Sequence, residues 1–139
     1  MSAPHSLPLA EAAALIAAKR LSPVELLQSC LDRVAAVEPK LNAIIRLVAD
    51  EAMGDARAAE AEIARGGSRG PLHGIPVGLK DIIDLAGHPT TCHSKLQIDR
   101  VATEDAVATA RLRAAGAVFP AKLSTHEFAI GGPAFDLPF

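Results

Sequence analysis

Tryptophan and tyrosine are absent from this chain, and phenylalanine occurs only four times in 139 residues. Without aromatic platforms there is little on which bases could stack. Basic residues do not outnumber acidic ones, the formal charge is -2 and no basic stripe is present, so no direct nucleic-acid partner is expected. The two cysteines, Cys30 and Cys92, stand far apart and outside any C-x-x-C pair, which predicts reduced thiols rather than a disulfide framework. Long hydrophobic runs are missing as well. The apolar stretch from Leu7 to Ala18 contains Glu11 and lacks the basic leader and small-residue cleavage site of a secretory signal. Nothing approaches the roughly 18 apolar residues that span a bilayer, so the expectation is a soluble, cytoplasmic protein without membrane association.

What the chain has is aliphatic mass. Half of its residues are hydrophobic, and a chain of this size can bury roughly two-thirds of its unfolded surface as one domain. Leu9 to Lys19 has helical spacing, with Leu9, Ala12, Ala13, Ile16 and Ala17 on one face. Ser22-Pro23-Val24-Glu25 is a helix start: the serine caps, the proline presets the first turn, and the glutamate reaches back to the cap amide. The helix is predicted from Pro23 to about Val37, ended by Glu38-Pro39-Lys40. A strand over Leu41 to Val48, with helix as the open alternative, and an alanine-rich helix over Asp50 to Arg65 stopped by Gly66-Gly67 come next.

Beyond the loop Ser68 to Pro71, Ile75 to Leu79 reads as a strand, with Pro76 at its start or on an edge. A loop follows from Gly87 to Gln97, then a helix starting at Thr103-Glu104-Asp105 and running to Gly116. Ala117 to Ala121 is a second strand candidate, followed by a turn and a short segment at Glu127 to Ala129. Alternating helices and strands favour an α/β fold. The last residues, Ala134 to Phe139, form an apolar tail with half of the phenylalanines, and are expected to continue into or pack against more protein.

One residue stands out chemically. Lys80 lies within Gly74-Ile75-Pro76-Val77-Gly78-Leu79-Lys80-Asp81-Ile82-Ile83-Asp84, a mostly apolar run where an ammonium must be paired, must reach water along its stem, or must become neutral. The plain reading is a strand-end lysine paired with Asp81 or Asp84. The chemical reading is a proton acceptor at the carboxyl end of a strand, where open α/β sheets place their crevices. Gly78, two residues earlier, shares its face and leaves room beside it. A phosphate-binding loop is poorly supported, because the spacing is not G-x-x-x-x-G-K-[ST] and Asp81 stands where the hydroxyl belongs. His88, Cys92 and His93 carry metal-compatible side chains, but the spacing matches no common zinc pattern and a fourth ligand is missing. Neither a metal nor a cofactor is expected. Cys92 as a thiol nucleophile lacks an orienting third group, and His126 and Glu127 read as surface polar residues at a turn.

The order of motifs is specific. Gly70 to Asp81, Gly87 to Ser94, Arg113-Ala114-Ala115-Gly116-Ala117-Val118 and Lys122 to Gly131 together resemble the amidase signature family, and Ser22 to Leu26 and Lys40 to Ala43 are similar to its N-terminal helices. The resemblance implies part of a mixed-sheet α/β/α sandwich with N-terminal helices: a helical region at about 1–69 and the start of the signature core at about 70–139. It implies hydrolysis or transfer of amides by a nucleophilic serine, a second serine in a cis peptide, and a lysine that accepts the proton through the middle serine. Lys80 matches that lysine. Phe128, Ala129, Ile130 and Gly131 match a segment bordering the acyl pocket and are substrate-contact candidates.

Two departures stand out: Ala121-Lys122-Leu123-Ser124 replaces the usual Gly-Lys-Thr-Asn, and His93 replaces the glycine common before Ser94. No Gly-Ser-Ser-Gly run is present. The expectation is therefore an incomplete N-terminal portion of one amidase domain, inactive alone, whose partners are a small amide and the polypeptide beyond Phe139. Two alternatives stay open, the glutaminase-like component of a tRNA-dependent amidotransferase and a non-catalytic truncated α/β module. Homo-oligomerisation is also open.

Overall fold

The computed structural model describes residues 3–131 and 139, so the apolar tail lies almost wholly outside the described residues. A 3-10 turn at Pro4–Ser6 precedes α1, Leu9–Ala17, and α2, Pro23–Leu41. The capping box forms in full: Ser22 Oγ accepts from the amides of Val24 at 3.0 Å and Glu25 at 3.3 Å, and Glu25 Oε2 accepts from the Ser22 amide at 3.0 Å. Ser22 Oγ also donates to Glu60 Oε1, on the helix that packs against α2.

Helix α2 passes through Pro39 instead of stopping there. A proline this near the carboxyl end removes only one helical donor. Asn42 then turns left-handed at φ 50° and its amide recovers the Glu38 carbonyl at 2.9 Å. The Glu38 side chain accepts from the Ile44 amide at 2.6 Å, which directs the chain into β1, Ile44–Leu47.

Helix α3, Ala49–Ala64, follows at once. Its small buried residues Ala52 and Ala56 let Leu27 and Val118 approach closely. A second cluster joins Ala12 and Ile16 of α1 to Leu26 and Ile75, and a third gathers Leu79, Leu85, Ala117 and Phe119. Helix α4 spans Val107–Ala114 and starts later than the acidic residues predict. Asp105 does not begin the helix because its carboxylate is used elsewhere, accepting from the Ala86 amide at 2.8 Å and from Arg113 Nε at 2.7 Å.

Strands β2, Leu79–Lys80, and β3, Ala121–Leu123, complete a three-stranded mixed sheet in the order β1-β3-β2. β1 is antiparallel to β3, with a bulge between Ile44 and Arg46, and β2 runs parallel to β3, with Leu79 opposite Lys122 and Lys80 opposite Leu123. Both strands are shorter than, or displaced from, the runs that predict them. Pro76 and Val118 meet only in an isolated parallel bridge, and regular pairing is interrupted between there and β3, where Pro120 has no amide proton to give. The room left by Gly78 is filled by protein: a methyl added there would meet Leu123 Cδ1 at 2.9 Å. Among the described residues no helix is long and apolar enough to cross a membrane.

Candidate active site

Strand alternation decides the fate of the two lysines. Leu79 and Asp81 point inward, at 3% and 1% exposure, so Lys80 between them faces the solvent. The expectation of an amine embedded in apolar surroundings is corrected at this position, as is its pairing with Asp81 or Asp84. Asp81 is bonded to Lys122 at 2.8 Å, and Asp84 holds Arg100 through two bonds of 2.7 and 2.9 Å. Among the described residues no carboxylate forms a salt bridge with Lys80.

The buried lysine is Lys122, with no exposed surface at all. A signal for it exists in the sequence, since Lys122 follows the apolar run Ala117 to Ala121 and faces the same choice of pairing, reaching water or losing its charge. Its Nζ donates to Asp81 Oδ1, to the Pro89 carbonyl at 3.0 Å and to Thr90 Oγ1 at 3.0 Å. Three acceptors match the three donors of an ammonium. Asp81 Oδ2 in turn accepts from the Thr91 amide at 3.0 Å and from Thr91 Oγ1 at 2.5 Å.

From this buried cluster a chain of hydrogen bonds runs outward. The Asp81 amide donates to the Leu123 carbonyl and the Asp81 carbonyl accepts from the Cys92 amide, both at 2.9 Å. Cys92 and His93 are both left-handed, at φ 52°, a conformation that costs non-glycine residues about 1–2 kcal/mol each. The turn is held by the His93 amide donating to Thr91 Oγ1 at 3.0 Å and by the His93 ring, whose Nδ1 lies 2.6 Å from the Thr125 carbonyl. The Cys92 carbonyl then accepts from the Phe128 amide at 2.8 Å. Lys80 and the substrate-contact candidates are thereby tied to one backbone network.

Phe128 and Ala129 are also left-handed, at φ 53° and 58°, and Phe128 and Ile130 are exposed at 42% and 81%. Glu127 does more than decorate a surface turn: its Oε1 accepts from the buried Ser94 hydroxyl at 2.6 Å. Burial first, and the Asp81 charge second, push the Cys92 thiol up from its ordinary value. That disfavours the thiolate on which a thiol mechanism depends.

The two histidines of the metal-compatible set have separate engagements. His88 Nε2 sits 2.9 Å from Glu51 Oε2 on α3, while His93 serves Thr125. Among the described residues no cluster of three or more His, Cys, Asp or Glu is placed to hold a metal ion. A cavity of about 590 Å³ lies between α1 and residues 63–73, and Lys80 is not among the residues that line it. A smaller one of about 230 Å³ is bordered by Arg46, Asp81, Pro89 and Thr91.

The Amidase family profile matches residues 25–134. The chain belongs to the amidase family. It is 44% identical over 127 residues to the A component of the glutamyl-tRNA(Gln) amidotransferase of Roseiflexus sp. (strain RS-1), covering 91% of this chain and 26% of that protein. It is 42% identical over 132 residues to an amidase of Pseudomonas putida, covering 94% and 28%. The native peptide amidase of Stenotrophomonas maltophilia superposes with a TM-score of 0.84 at 36% identity, over 91% of this chain and 26% of that one. Fatty acid amide hydrolase superposes with a TM-score of 0.84 at 30% identity, over 88% and 22%. This member of the amidase family thus spans 26% to 28% of the length of these two curated relatives.

Proposed function

We propose that residues 1–139 are the N-terminal portion of a cytoplasmic amidase that hydrolyses carbon-nitrogen bonds through a serine, a cis serine and a lysine, with Lys80 as the proton acceptor. The observation that carries the reading is the pairing pattern around Lys80. It stands at the carboxyl end of β2, facing out, while both neighbouring carboxylates are committed to other cations. A lysine tied to a carboxylate is held as an ammonium and makes a poor base; Lys80 has no such tie among the described residues. In the reaction its amine takes the proton relayed through the middle serine as the nucleophilic serine attacks the amide carbonyl. Phe128 to Gly131 line the acyl side of the substrate, with the exposed Phe128 and Ile130 offering apolar contact.

The test is Lys80→Met in the longer polypeptide that carries this segment. Amide hydrolysis should fall by about 10²-fold or more, in line with loss of a general base, with the circular dichroism spectrum unchanged. Retention of normal hydrolysis would remove Lys80 from the mechanism. The glutamyl-tRNA(Gln) amidotransferase components among the relatives favour a second reading, a glutaminase that works within a larger complex. Ammonia release from glutamine that depends on partner subunits, with no turnover of simple amides, selects it.

A further inference from the structure

We propose that Lys122 is a positioning residue for Lys80: its buried ammonium takes up the Asp81 carboxylate and so prevents that carboxylate from capturing the neighbouring amine. This rests on the reading of Lys80 as the proton acceptor. Asp81 follows Lys80 directly in the chain, and it is the nearest anion in sequence to the group that must give up its proton. The fold resolves the conflict by sending the two side chains to opposite faces of β2 and supplying a different cation on the inner face.

The commitment is complete at every atom. Asp81 spends Oδ1 on Lys122 and Oδ2 on Thr91, and its backbone amide and carbonyl are bonded to Leu123 and Cys92. Lys122 spends its three donors on Asp81, Pro89 and Thr90. The remaining charges around the pair are accounted for as well. Asp84 is held by Arg100, the Cys92 thiol is pushed toward its neutral form, and the His93 ring is bonded to Thr125. On β1, Arg46 sits opposite Lys122 in register and borders the same cavity as Asp81. If Lys122 is removed, Asp81 loses its cation on the inner face of β2 and is released to turn toward Lys80, its neighbour in the chain, or toward Arg46.

The experiment measures kcat and KM against pH for amide hydrolysis by the longer polypeptide carrying this segment. Lys122→Met should lower kcat at neutral pH at least tenfold with KM within threefold. It should also move the acidic limb of the kcat profile upward by about one pH unit or more, the size of effect an opposite charge exerts at close range. The Arg46→Gln change, added to remove the rival cation, should hold or enlarge that displacement. Asp81→Asn combined with Lys122→Met deletes the carboxylate too, and should return the limb to its original position even if the rate stays lower. Where Lys122→Met does not fold, Lys122→Gln keeps a donor toward Asp81 without the charge and reads the same displacement. A limb that stays in place in the folded single variants overturns the proposal and leaves the pair a structural feature. The outcomes separate cleanly from the parent reading: an active Lys80→Met variant overturns the base itself, whereas an inactive Lys80→Met with an unmoved limb in Lys122→Met overturns only the role of Lys122.

Discussion

At the residue scale the buried lysine is Lys122 and the exposed one Lys80. Both sit in apolar runs, and only the pleat phase of the strands tells them apart: Leu79, Asp81 and Lys122 go inward, Lys80 outward. A buried ion pair is costly to break from one side, because the partner is left charged without water. Asp81→Ala is therefore expected to lower stability by about 3–5 kcal/mol in urea unfolding; a loss below about 1 kcal/mol would mean that the pair relaxes into solvent. His73 supplies a second, pH-dependent case. Its ring is buried, and burial lowers its pKa below the ordinary histidine value more than the Glu62 carboxylate, 3.5 Å away, raises it. The unfolded chain then binds the proton more readily than the folded one, so the stability from His73 is present above about pH 6.5 and is lost as pH falls through the depressed value. The unfolding midpoint should drop between pH 7 and pH 5, and His73→Gln should flatten that slope; an unchanged slope contradicts the sign. Gly116, left-handed at φ 84°, leaves no room for a side chain beside this ring.

At the element scale, the beginnings of α1, α2 and α3 are readable, whereas the start of α4 and the strand limits are not. The cap at Ser22 follows from four consecutive residues, and local hydrogen bonds realise it. Ser22→Ala should cost about 1 kcal/mol by thermal or urea melting, together with the loss of the contact to Glu60. Helix α3 was legible within a residue because alanine propensity and two glycines act locally. The sheet was not, since a strand of two or three residues is defined by its partner: Ile75 to Leu79 has strand composition, yet only Leu79 and Lys80 find β3 in register. Gly78 carries a related consequence. Gly78→Ala drives a methyl into Leu123 and should open the β2-β3 contact at a cost of about 1–3 kcal/mol, lowering amide-exchange protection at Asp81, whose amide is bonded across that junction. Motif order singles out Lys80 and Phe128 to Gly131 as candidates, whereas the Asp81-Lys122-Thr91 cluster depends on contacts between distant segments that no single stretch encodes.

At the scale of the whole molecule, apolar side chains remain on the surface in number. Leu96, Ile130 and Val107 are exposed at 83%, 81% and 69%, and Leu41, Leu9 and Val101 exceed one half. β1 and β2 are sheet edges among the described residues, and unpaired edges beside apolar surface favour association. Residues 1–139 expressed alone should show no amide turnover, bind a hydrophobic dye and elute larger than a monomer in gel filtration. A sharp, reversible unfolding transition in a monomer would contradict that expectation.

The central position of β3 also sets a schedule. Chains are made amino end first and begin to fold as they emerge, but β1 and β2 share no bond with one another and both wait for Ala121–Leu123. Until Lys122 leaves the ribosome, Asp81 has no buried cation to meet and Lys80 no fixed direction. The helices can settle early, whereas the order of synthesis makes the edge that carries Lys80 among the last parts of this segment to acquire its shape.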